Sequence, residues 1–184
     1  MEIAYLHVVI NHLPIMGVPI ALGLLLLGLW ARDDSIKRAA LLAFVVLGLL
    51  TIAVFLTGKG GEDFVEHVAG VSEDAIEAHE DMATLAFIAV EMLAVLSLFF
   101  FLRHGGYPML RRRAASLGTP VPALGVAIVL GAAAATTAML GYTGRLGGKI
   151  SHTEFSAGAP VDAGANENDE REEDKGHRRR RGRD

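Results

Sequence analysis

The stretch AALLAFVVLGLLTIAVFLT, residues 39–57, decides the fold. It carries no ionisable side chain over close to the roughly 20 residues that cross a hydrocarbon core of about 30 Å. Inside a bilayer a lone strand would leave its backbone donors and acceptors unpaired, so a span is either a helix or part of a closed barrel. This run lacks a barrel's alternation of apolar and polar residues. Working outward, three more apolar stretches of similar length stand at Ile3–Trp30, Met82–Leu102 and Val121–Tyr142. The expected fold is all-α, an integral membrane four-helix bundle.

Composition bounds what such a bundle can do. The chain has 184 residues, 52% of them hydrophobic, and no cysteine. That leaves room for one membrane domain, residues 1–155, and a charged tail, residues 156–184, which ends in Arg178, Arg179, Arg180, Arg181 and Arg183 and reads as disordered. Without cysteine there are no thiolate metal sites, c-type haem attachments or disulfides, and His and carboxylates remain as the strong ligands. The first apolar stretch is too long for a signal peptide and lacks a basic start, so it is expected to stay in the protein.

Charge sets the expected orientation. Arg32, Lys37 and Arg38 join spans one and two, and Arg103, Arg111, Arg112 and Arg113 join spans three and four. The intervening segment 58–81 has Lys59 against many carboxylates. Basic residues in short connections favour the cytoplasmic side. The chain is therefore expected to be a multi-pass protein of the bacterial inner (cytoplasmic) membrane, surrounded by lipid, with both termini outside. A tail on that side has no role with nucleic acid.

This topology brings five of the seven histidines, His7, His12, His67, His79 and His152, to one end of the bundle. His7 and His12 open the first span. At 1.5 Å and 100° per residue they lie about 7.5 Å apart in depth and point about 140° apart, toward different partners. Asn11, one turn from His7, is placed to orient it, and Pro14 and Pro19 free backbone carbonyls and favour a bend. An acidic run before span three predicts a helix starting near Glu73, with Ser72 as its cap and His79 about one turn outside the bilayer, level with His7. His67 falls in the loop expected from Gly58 to Asp81. The glycines of the stretch 144–148 permit a reversal that would fold His152 back over the opening. In span four, Gly131, Ala132, Ala135 and Ala138 read as a packing face.

Two carboxylates complete the pattern. Glu80 adjoins His79, and Glu91 lies near the middle of span three, where an ionised carboxylate costs at least about 2.5 to 3.5 kcal/mol. Their eleven-residue spacing returns to one helix face and makes a proton path from the histidine end one reading. A Glu91 hydrogen-bonded to Thr136, Thr137 or a carbonyl is the other.

These residues resemble those of the bacterial membrane proteins grouped as domain of unknown function 2231. That family's first helix opens with His, four residues, then His-Phe-Pro, and His7, His12, Leu13 and Pro14 stand here, Leu13 in place of Phe. Thr57-Gly58 at the end of span two, His79 entering span three and Gly147-Gly148 after span four are similar landmarks, and the resemblance covers about residues 5–155. Relatives joined to Rieske or cytochrome c modules imply an electron-transfer setting and a b-type haem.

Three functional readings follow. The first is an electron-transfer protein, a redox-complex subunit rather than a stand-alone enzyme, with haem b held by His79 and either His7 or His12. The other imidazoles, His67 and His152, and Glu80 then serve propionates, quinol or a second haem, and a redox partner protein is implied. The second is a non-haem Cu, Zn or Fe site formed from His7, His12, His79, Glu80 and His152. The third is a cofactor-free structural subunit. No nucleophile–base pair, phosphate loop or HExxH helix supports hydrolysis.

Overall fold

The computed structural model describes residues 2–65, 73–103 and 123–151. Five helices account for nearly all of them: α1 (Glu2–Ile10), α2 (His12–Trp30), α3 (Asp34–Val65), α4 (Glu73–Arg103) and α5 (Ala123–Ser151). α1 and α2 together make the first span, and α3, α4 and α5 carry the other three, each long and apolar enough to cross a membrane. The protein is an all-α membrane bundle.

The order of packing follows from the corners. Between α2 and α3 the N–H of Asp33 bonds to the Gly28 carbonyl (3.0 Å) and that of Arg32 to Leu29 (3.2 Å), with Arg32 in the left-handed region at φ 55°. This pairing satisfies the last carbonyls of α2. The Asp33 carboxylate then accepts the N–H groups of Ser35 (2.7 Å) and Ile36 (3.3 Å) and caps α3. Gly28 is needed at this corner, because a Cβ there would lie 2.9 Å from the Lys37 nitrogen.

The helices form a ring in which α3 packs on α2 and α4, and α5 packs on α4 and α2. α2 and α4 therefore stand diagonally across the bundle, as do α3 and α5. Val18, Leu25, Phe44, Val90, Leu93 and Val129 fill the axis. Large apolar side chains such as Ile20, Leu49 and Val95 remain two-thirds exposed around the outside, the distribution expected when lipid is the solvent.

The structure departs from the sequence reading in four places. α3 does not stop at Thr57 but continues through Gly58, Gly60 and Gly61 to Val65. α5 likewise continues through Gly144, Gly147 and Gly148 to Ser151, so no reversal occurs among those glycines. Glycine weakens a helix by about 1 kcal/mol relative to alanine, yet here it admits neighbours that a Cβ would exclude: Ile3 at Gly60 and Ala4 at Gly61, both about 3.1 Å from the position a Cβ would take. The close packing of span four uses Gly125 against Phe100 and the fully buried Ala133, and of the expected face Ala132 packs on the core whereas Gly131, Ala135 and Ala138 face outward. The first span is broken at Asn11, near the carbonyl that Pro14 frees, while α2 runs on unbroken through Pro19. α4 is helical from Glu73, the first residue described after the second span; Ser72, its expected cap, lies outside the described residues.

Candidate functional site

At one end of the bundle two imidazoles are held in the same way. The Nδ1–H of His7, on α1, donates to the carbonyl of Val54 on α3 (3.0 Å). The Nδ1–H of His79, on α4, donates to the carbonyl of Thr143 on α5 (3.2 Å). A carbonyl oxygen only accepts, so each ring carries a proton on Nδ1, and in its neutral form the lone pair is on Nε2. Four residues beyond each of these carbonyls stands a glycine against the ring. A Cβ at Gly58 would lie 3.0 Å from Cε1 of His7, and one at Gly147 would lie 3.1 Å from Cε1 of His79. The glycines thus make room for the imidazoles.

Threonines reinforce both stations. The Thr57 hydroxyl lies 2.8 Å from the Ala53 carbonyl and 2.9 Å from the Val54 carbonyl that His7 uses. Thr143 donates to Met139 within α5 (2.9 Å) and reaches Met82 on α4 (3.3 Å), tying the helices together beside His79.

His7 and His79 lie on diagonal spans and are close enough for the charge of one to act on the other. Among the described residues α1 packs on α3 and α2. Asn11 does not orient His7; the Val54 carbonyl does so. The Asn11 Oδ1 is instead a buried acceptor without a protein partner, an atom that a donor from a water or bound group would satisfy.

His12 is placed differently. It is exposed, and its Nδ1–H donates to the Val8 carbonyl one turn back on its own chain (3.1 Å). The angular separation read from the sequence holds, since His7 faces α3 while His12 faces outward. Glu80 pairs with Lys59 of α3. Among the described residues no three His, Asp or Glu side chains converge as a metal cluster would. His67 and His152, and also His104 and His177, lie outside the described residues, as does the charged tail.

Glu91 lies on the seam between α3 and α4. Its carboxylate oxygens are 3.5 and 3.9 Å from the point a Cβ of Gly48 would occupy, and Oε1 is buried without a partner. The Thr137 hydroxyl donates instead to Ala133 within α5 (2.8 Å). From the histidine end the seam runs from the Lys59–Glu80 pair, through the stacked rings of Phe55 and Phe87 (centroids 4.4 Å apart), to Glu91. The aromatic pair separates the two carboxylates.

The glycine notches escaped the sequence reading because Gly58 and Gly147 read locally as helix breakers. Their matching positions after Val54 and Thr143 were the available signal. No curated protein and no solved structure matches this chain. The sequence pattern of the predicted membrane proteins DUF2231 matches residues 4–155, and the chain belongs to that family.

Proposed function

We propose that this protein is a membrane-bound electron carrier that holds a b-type haem through His7 and His79. One observation carries the reading: two diagonal spans each present an imidazole whose Nδ1–H is anchored on a neighbouring carbonyl, leaving Nε2 as the ligand atom. Histidines that bind metals characteristically use their second ring nitrogen in this way, which fixes the tautomer and orients the ring. The donor set fits haem better than a bare ion, which asks for three or four donors around a point. His7 and His79 would hold a haem, which would supply one-electron chemistry when bound, and the apolar side chains of the bundle would tune its potential.

The protein's own groups then have defined tasks. Val54 and Thr143 hold the two rings, and Gly58 and Gly147 keep their edges clear. Lys59 and Glu80 form a charged rim beside His79. The basic connections at the opposite end favour a histidine end on the outer face of a bacterial inner membrane, with both termini outside. A quinol dissolved in that membrane is the natural electron donor, and a redox protein outside it the acceptor.

The test is an optical spectrum of detergent-purified protein, oxidised and dithionite-reduced, with metal analysis of the same sample. A sharp reduced α-band that disappears in His7→Ala and in His79→Ala supports the proposal. A colourless protein with stoichiometric copper, zinc or iron overturns it.

A further inference from the structure

We infer that the Thr57 hydroxyl is a positioning group that sets how strongly the His7 ring is anchored, and through it how well Nε2 of that ring donates to iron. Its redox consequence rests on the haem reading. Its effect on the ring does not.

The carbonyl that anchors His7 is crowded. Helical geometry directs the Gly58 N–H to the Val54 oxygen four residues back, and the His7 Nδ1–H reaches the same oxygen from α1 (3.0 Å). Oγ1 of Thr57 stands 2.9 Å from it too, as well as 2.8 Å from the Ala53 carbonyl and 3.5 Å from Nδ1 of His7. A hydroxyl has one proton to donate. Two carbonyls at nearly equal distance, three and four residues back, share that proton in a three-centre bond. A carbonyl oxygen offers two lone pairs, so at Val54 three donors meet two acceptor positions. Each bond is weaker than it would be alone, and the one to His7 is the bond that joins two helices.

The second station is built without this competition. Thr143 supplies the carbonyl that holds His79 (3.2 Å), but its own hydroxyl turns to Met139 (2.9 Å) and Met82 (3.3 Å). Among the described residues only the His7 anchor therefore carries a threonine hydroxyl. A stronger bond from Nδ1–H makes an imidazole the more basic ligand, and a more basic axial ligand favours ferric over ferrous iron and lowers the potential. By drawing on the Val54 oxygen, Thr57 weakens that bond and holds the potential up.

The experiment uses the full chain in lipid nanodiscs with 15N-labelled histidine, at about pH 8, where imidazole is neutral. The His7 resonances are assigned by their loss in His7→Gln. In Thr57→Val, which keeps the shape and removes the hydroxyl, the His7 Nδ1–H proton should move downfield, and in Thr57→Ser it should return to its original position. Thr137→Val is the control, because that hydroxyl bonds Ala133 within α5; it should move nothing. In haem-loaded protein poised at the parent's midpoint, Thr57→Val should lower the ratio of reduced to oxidised haem about threefold, the effect of a fraction of one neutral hydrogen bond, or about 30 mV for one electron. Thr57→Ser should restore the ratio. An unmoved His7 proton in Thr57→Val overturns the inference, as does a raised potential. Equal shifts in the valine and serine variants assign the effect to packing rather than the hydroxyl, and also overturn it. A protein without haem whose His7 proton moves as expected keeps the role of Thr57 and loses the haem reading. A haem protein in which Thr57→Val changes neither signal does the reverse.

Discussion

The two halves of the bundle hold their imidazoles alike but reach that arrangement by different chain geometry. In the first half, α1 to α3, the histidine-bearing helix is short, has no buried residue and is broken from α2 at Asn11. In the second half, α4 is one continuous 31-residue helix and His79 sits within it. Yet both rings find a carbonyl at about 3 Å on the next helix and a glycine four residues further on. What the halves share is the carbonyl and glycine that hold each ring, and what differs is the backbone that delivers it. This division separates the requirement of the site from the means of meeting it.

The equivalence can be broken most directly at the ligands. His7→Ala and His79→Ala should each abolish the reduced haem band, and by equal amounts, whereas His12→Ala should leave it in place. Haem-to-protein ratios across the three variants check this, and an equal loss in His12→Ala would defeat the assignment of the pair. Next in size are the notches. Gly58→Val and Gly147→Val put a branched side chain where even a Cβ would come within about 3.1 Å of the ring, and each should weaken haem retention at least tenfold, or about 1.4 kcal/mol. Gly141→Ala is the control, because nothing lies within 4 Å of the added methyl. It should keep the haem and stabilise the helix by up to about 1 kcal/mol, read as a shift in thermal unfolding.

A smaller effect tests the asymmetry. Pro14→Ala restores a backbone donor near the Asn11 break and should straighten the first span. Haem retention should fall in this variant without being lost, because His7 shifts while His79 does not. The smallest effect is expected at the rim: Lys59→Ala or Glu80→Ala removes a partly exposed ion pair worth about 0 to 1 kcal/mol. Unfolding midpoints in low and high salt should differ little from those of the parent, and a large loss would give the pair a larger part in the site.

Much of this was legible in residue order. Hydropathy placed the four spans, and even the number of crossings brought His7 and His79 to the same end. Helical angle separated His7 from His12 and put Glu80 and Glu91 on one face of α4, and both do meet α3. The extensions of α3 and α5 were missed because glycine is a poor helix former when only its own neighbours are considered. The role of Asn11 was misjudged because the carbonyl that His7 uses lies 47 residues away.

The sequence by itself determined the solvent, the number of spans and the gathering of imidazoles. Those depend on transfer free energy and helical periodicity, and both act along the chain. Only the tertiary structure decided that His7 and His79 each bond a carbonyl of a neighbouring helix while His12 bonds its own turn, and that Phe55 and Phe87 part Glu91 from Glu80. Those outcomes depend on which carbonyl, glycine or ring a neighbouring helix brings into contact, and such contacts join residues remote in sequence.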